Sequence, residues 1–197
     1  MKTITSKFFI GSIILLSWSC TKSRPDNSGQ QPEVSSFTKY TIKAGQQYCD
    51  LNAYKQIDYT ELKFIVKFDS SAVYQTVSAD NQFDVNKLYG FSDNNNQHQQ
   101  YSARFGWRWS SGALRLFGYI YNNGIMSFEE LAAVSIGAEH TCSIKVSSSQ
   151  YIFSVDNVTK AMPRSSKTPT AIGYQLYPYF GGDEAAPHDI YIWIKQL

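Results

Sequence analysis

Tyr101-Ser102-Ala103-Arg104-Phe105-Gly106-Trp107-Arg108-Trp109 sorts its side chains into two rows. In an extended chain, alternate residues share a face. Ala103, Phe105, Trp107 and Trp109 form an apolar row fit for a core, whereas Ser102, Arg104, Gly106 and Arg108 form a polar, cationic one. Beyond the turn residues Ser110-Ser111-Gly112, the stretch Ala113 to Tyr121 divides in the same way. Leu114, Leu116, Gly118 and Ile120 fall on one side; Arg115, Phe117, Tyr119 and Tyr121 fall on the other. So short a turn predicts a hairpin. Pairing then lays Ser102, Arg104, Arg108, Arg115, Tyr119 and Tyr121 on one shared outward surface.

The same period of two recurs along the chain. Tyr59 to Phe68, Thr141 to Val146, Tyr151 to Val155, Ile172 to Phe180 and Ile190 to Lys195 are strand candidates rich in β-branched and aromatic residues. Clusters such as Asp93-Asn94-Asn95-Asn96, Asn122-Asn123-Gly124 and Gly181-Gly182 punctuate them. Short strands with this punctuation predict an all-β sandwich or barrel. Phe128 to Val134 reads equally well as helix or strand. In Ile172 to Phe180, alternation sets Gln175, Tyr177 and Tyr179 opposite Tyr174, Leu176 and Phe180, and the first three extend the outward surface.

The amino terminus has the layout of an export signal. Lys2 and Lys7 precede an apolar run, Phe8 to Trp18, that is short for a permanent membrane span. Leu16-Ser17-Trp18-Ser19-Cys20 resembles the lipobox of bacterial lipoproteins, with Trp18 where a small residue is usual. The resemblance implies cleavage after residue 19, lipidation of Cys20 and a place in the bacterial cell envelope, periplasmic or at the surface. The alternative is an ordinary secretory signal with a chance cysteine. Residues 20–35, rich in Ser, Pro, Asn and Gln, bury too little to order and read as a tether. Residues 36–197 are left as one domain, expected to be a monomer and to meet the membrane only through the lipid.

The full chain has 18 basic and 16 acidic residues. Lys2 and Lys7 belong to the signal, so the remainder is formally neutral, which argues against a nucleic-acid partner. With Cys20 lipidated, Cys49 and Cys142 either pair or stay as buried thiols. No phosphate-binding glycine loop, nucleophile elbow or metal-ligand spacing is present, and His98, His140 and His188 are scattered. No cofactor is expected. Asp183, Glu184 and Asp189 are candidate ligands for a structural calcium, or plain solvated carboxylates.

A face of Tyr and Arg suits acidic sugars. Tyrosine offers a ring for the C–H face of a pyranose and a hydroxyl for hydrogen bonding; arginine binds a carboxylate through two parallel donors. An ordinary solvated sheet face with cross-strand Arg–Tyr packing is the plain alternative. Certain segments recur in a known order: Lys87-Leu88-Tyr89-Gly90, Ser102-Ala103-Arg104 with Trp107-Arg108, Tyr119-Ile120-Tyr121, Tyr179-Phe180-Gly181-Gly182 and Ala186-Pro187-His188-Asp189. This succession, over residues 59–197, resembles the β-jelly-roll alginate and glucuronan lyases of polysaccharide lyase families 14 and 20. Tyr89 stands where that family has proline, and the chain is shorter than such lyases.

The resemblance implies an antiparallel, concanavalin-like jelly-roll sandwich that cleaves an acidic, uronate polysaccharide by β-elimination. It implies catalytic roles for Lys87, Ser102, Arg104, Tyr119 and Tyr121, with Lys87 on a loop. Lys87 and Arg104 would neutralise the substrate carboxylate, and a tyrosine would move a proton once those cations had lowered its pKa. His98, on the loop entering the Ser102 strand, is a second candidate base or a merely exposed histidine, while Arg108, Arg115, Gln175, Tyr177 and Tyr179 would bind substrate. A non-catalytic glycan-binding lipoprotein using the same face is the alternative function.

Overall fold

The computed structural model describes Thr3 and residues 36–197, so the expected signal, Cys20 and the tether lie outside the described residues. The fold is an antiparallel β-jelly-roll of the concanavalin-like kind, as the family resemblance implies: two six-stranded sheets packed face to face. The outer sheet runs β1 (Thr38–Ile42), β12 (Ile190–Gln196), β3 (Glu61–Phe68), β8 (Glu139–Val146), β9 (Gln150–Val155) and β10 (Val158–Pro163). The inner sheet runs β2 (Gln56–Tyr59), β11 (Ala171–Leu176), β4 (Asn86–Ser92), β5 (Tyr101–Ser110), β6 (Ala113–Asn122) and β7 (Ile125–Val134).

The apolar rows meet between the sheets. Ala103, Phe105, Trp107, Leu114, Leu116 and Ile120 from the hairpin are fully or almost fully buried against Phe64, Phe68, Tyr151 and Phe153 of the outer sheet. Phe105 contacts Phe64 and Phe153 edge-on, with centroids 5.5 and 5.3 Å away. Burial of each such ring is worth roughly 1.5–3 kcal/mol. The hairpin register sets Arg104 opposite Tyr119 and Ser102 opposite Tyr121. Cys49 and Cys142 are both buried free thiols.

Two bulges break the period of two. Between Lys87 and Gly90, β4 advances one residue more than β5, so Leu88 and Tyr89 both turn into the core while Lys87 faces the other way. Lys87 therefore stands on a strand, not on the loop the resemblance implies. Between Leu116 and Phe117, the extra residue is Leu131 of β7, which is buried. The segment 128–134 is thus strand. Its helix-like spacing comes from the bulge, which puts Leu131 and Ala132 side by side.

A buried ion pair ties the sheets. Arg164 donates from Nε to Asp93 Oδ2 at 2.7 Å and from Nη2 to Asp93 Oδ1 at 3.1 Å. Tyr151 of β9 donates its hydroxyl to the same carboxylate at 2.6 Å. Arg164 also donates to the carbonyls of Ser147, Thr168 and Thr170, leaving both charges fully covered and hydrogen-bonded. Asp93, a turn residue by sequence, is structurally a clamp.

Candidate functional site

The polar row of the hairpin is not a wetted surface. Ser102 is fully buried, Arg104 is 8% exposed and Tyr119 is 5% exposed. Three segments border these floor strands: residues 48–54, the loop with His98 and Gln99, and the stretch Tyr174 to Tyr179, which begins in β11 and continues beyond it. Together with the sheet they line an open cavity of about 660 Å³. Lys87, Arg104, Tyr119, Tyr121, Tyr179 and His98 all line it. Strands β4, β5 and β6 are adjacent, so side chains distant in sequence share this floor.

Tyr119 lies within reach of both cations. Its ring centroid is 5.3 Å from Lys87 Nζ and 5.5 Å from Arg104 Cζ, and Tyr121 is its neighbour at 6.0 Å. Lys87 Nζ donates to Gly181 O at 2.8 Å and lies 5.9 Å from the Tyr179 ring. Residues 179–181 are held in place by a two-way backbone bridge between Lys87 and Tyr179 and by Asn86 Oδ1, which accepts from Gly181 N at 2.7 Å. Gly181 has φ +121°, a conformation that explains the glycine there.

Among the described residues, Arg104 has no counter-ion. No carboxylate among the described residues forms an ion pair with it, and its Nε has no hydrogen-bond partner there. Burial lowers its pKa to about 10, against the partial opposition of tyrosines including Tyr119 and Tyr121. Lys87 falls to about 8, first through burial and then through the charge of Arg104. Burial also lowers His98, with Arg104 adding to the effect. The Tyr119 hydroxyl moves up rather than down: burial and Tyr121 outweigh Arg104, contrary to the expectation that the cations lower it.

His98 is held by Tyr174, whose hydroxyl lies 3.0 Å from Nδ1 and accepts from His98 N at 3.1 Å. In the tautomer whose Nδ1 is the donor, Nε2 carries the free lone pair. Tyr174 is therefore the residue of β11 that serves the cavity, and strict alternation had put it on the wrong side. Gln175 points beneath the sheet instead, donating to Gly90 O at 2.6 Å and accepting from the Tyr59 hydroxyl at 3.1 Å. Tyr177 packs against the core beside Tyr40 and Tyr89. Both touch the cavity wall, but their polar ends or rings are committed below it. The reason is that β11 starts with Ala171 in the core and ends at Leu176, before Pro178 resets the order.

Two more residues expected to bind substrate stand apart. Arg108 is on the same face outside the cavity, its guanidinium 4.7 Å from the Phe117 ring and donating to Phe83 O at 2.5 Å. Arg115 pairs with Glu130 at 2.6 Å. Ser102 Oγ is buried with no hydrogen-bond partner among the described residues, and Ser102 does not line the cavity. Two of the three calcium candidates are engaged within the protein: Glu184 accepts from Val77 N, Ser78 N and Asn81, and Asp189 pairs with Lys43. Tyr48, Asn52 and Tyr54 also line the cavity, and sequence reading missed them. They sit between elements, where no periodicity marks them.

No protein-family model matches the chain, and no curated protein sequence does. Similar solved structures do exist. The alginate lyase AlyC3 aligns with TM-score 0.56 at 8% identity, over 82% of this chain and 74% of its own. A GH16 protein of the Bacteroides ovatus mixed linkage glucan PUL, solved with a G4G4G3G product, aligns with TM-score 0.52 at 15% identity, covering 85% and 83%. A glycoside hydrolase family 16 endo-glucanase from the same organism gives 0.50 at 15%, covering 83% and 81%. At these identities the likeness is one of fold.

Proposed function

We infer that this cavity binds a uronate of an acidic polysaccharide and cleaves the chain beside it by β-elimination, in a lipoprotein tethered to the cell envelope through Cys20. The observation carrying this reading is the buried Arg104, without a counter-ion among the described residues, beside Lys87 in one cavity. An unpaired buried cation costs several kcal/mol, a cost that a substrate carboxylate offsets through charge-assisted hydrogen bonds.

The chemistry follows from the protonation states. With its carboxylate neutralised by Arg104 and Lys87, the uronate's C5–H becomes acidic enough to remove, and the same cations stabilise the enolate. His98, neutral at neutral pH because its pKa is lowered, takes the C5 proton. Tyr119, its pKa raised, still holds a proton to give to O4 as the C4–O4 bond breaks and C4=C5 forms. Hydrolysis fits less well. Glycosidases generally need two carboxyl groups flanking the bond, and the cavity lining includes neither Asp nor Glu.

The test is the ultraviolet absorbance of the unsaturated uronate released when the purified protein meets uronate polymers. Arg104→Ala should abolish turnover and weaken retardation in a polymer-containing gel; Tyr119→Phe should abolish turnover and leave retardation intact. Full activity in either variant overturns these roles. A wild-type protein that is retarded yet releases no product is a glycan binder that does not turn over.

A further inference from the structure

Among the residues lining the cavity, Lys87 and Arg104 alone carry a full charge at neutral pH. Lys87 and Arg104 hold the floor, while Tyr48, Asn52, Tyr54 and Gln99 supply neutral phenols and amides elsewhere. Tyr48 is 68% exposed and Tyr54 76%. Each leans on a cavity tyrosine: Tyr48 edge-on against Tyr179 at 4.9 Å, and Tyr54 against Tyr174 at 5.9 Å with the planes 33° apart.

These exposed rings stand on a well-held segment. Asp50 N donates to Thr41 O, and Asp50 Oδ1 accepts from the amides of Thr41 and Leu51. Asn52 donates to Cys49 O at 3.1 Å, and Gln175 N donates to Lys55 O at 2.9 Å. Rings held this way give up little entropy when a ligand stacks on them.

A polymer with a carboxylate on every ring would present more than one to this cavity, whose volume suits a ligand larger than a single sugar. Lys87 and Arg104 can meet one carboxylate. The next would lie against phenols, desolvated without compensation. Arg108 and Arg115 do not help, being outside the cavity and engaged with Phe83 O and Glu130. An uncharged sugar stacks on a phenol without that penalty.

We propose that the cleft selects a polysaccharide in which uronates are separated by uncharged sugars, with the uronate on Lys87 and Arg104 and its uncharged neighbours on Tyr48 and Tyr54. This rests on the uronate reading above. The test compares the purified full chain on alginate and glucuronan, charged at every ring, with hyaluronan and unsulfated chondroitin, in which a uronate alternates with an uncharged N-acetylated sugar. Product absorbance gives kcat/KM, and gel retardation gives affinity.

The alternating polymers should be preferred by about tenfold or more in kcat/KM, or in affinity if there is no turnover. Tyr48→Ala and Tyr54→Ala should each lower that value about tenfold on the alternating polymers. Tyr48→Lys should shift preference towards alginate. Equal or better use of alginate or glucuronan by the wild type overturns the selection and leaves the uronate reading standing. Failure to bind or cleave either kind overturns the uronate reading, and the selection falls with it.

Discussion

Lys87 is charged at neutral pH at some cost to the fold. Burial brings its pKa from 10.5 to about 8, so the folded protein binds that proton less well than the unfolded chain does. The penalty is fully present below pH 8 and fades as pH rises from there towards 10.5. Lys87→Met should therefore raise Tm at pH 6, with a smaller gain at pH 9, while weakening polymer binding at pH 6; thermal melts at both values decide it. A gain that does not shrink with pH would place the effect in packing. In the wild type, affinity for uronate polymer should fall as pH passes through 8 and Lys87 loses its charge. Arg104, with a pKa near 10, sustains the remainder. Titrating gel retardation from pH 6 to 9 measures this, and the fall should be absent in Lys87→Met.

The strand β4 owes its course to Gly90. A Cβ there would stand 2.2 Å from both Ala103 O and Arg104 Cβ. Gly90→Ala must push β4 off β5 where Arg104 leaves the sheet. It should destabilise by about 1–3 kcal/mol and lose polymer binding, measured by urea denaturation and gel retardation; wild-type values in both would contradict the close approach. This element also marks where sequence reading stopped. The β5–β6 hairpin was legible because ten-residue strands alternate without interruption and their turn is short. The strand nature of β4 was not, because Leu88 and Tyr89 are consecutive core residues around a bulge. Arg104, Tyr119 and Lys87 were nameable from the pattern and the resemblance. Tyr174 was assigned to the opposite side because β11 starts its alternation from Ala171. Tyr48 and Tyr54 escaped because their exposure depends on which segments fold over the sheet.

Across the whole molecule, the Asp93–Arg164–Tyr151 clamp carries a different kind of charge from the cleft. Both partners are fully buried and saturated with hydrogen bonds. Asp93→Ala leaves Arg164 buried without its carboxylate and should cost about 3–5 kcal/mol, read as a lower urea midpoint. Asp93→Leu with Arg164→Met should cost less than Asp93→Ala alone. If Asp93→Ala melts like the wild type, the clamp contributes nothing.

The bulge at Leu88 and Tyr89 buries two large side chains and, by the same step, turns Lys87 towards the cavity. Deleting one residue there would restore strict alternation to β4 at the expense of inverting everything before it, ammonium included. Shortening this strand by a single position thus cannot be repaired by point changes in the cleft. The length of β4 and the chemistry it presents are set by the same residue.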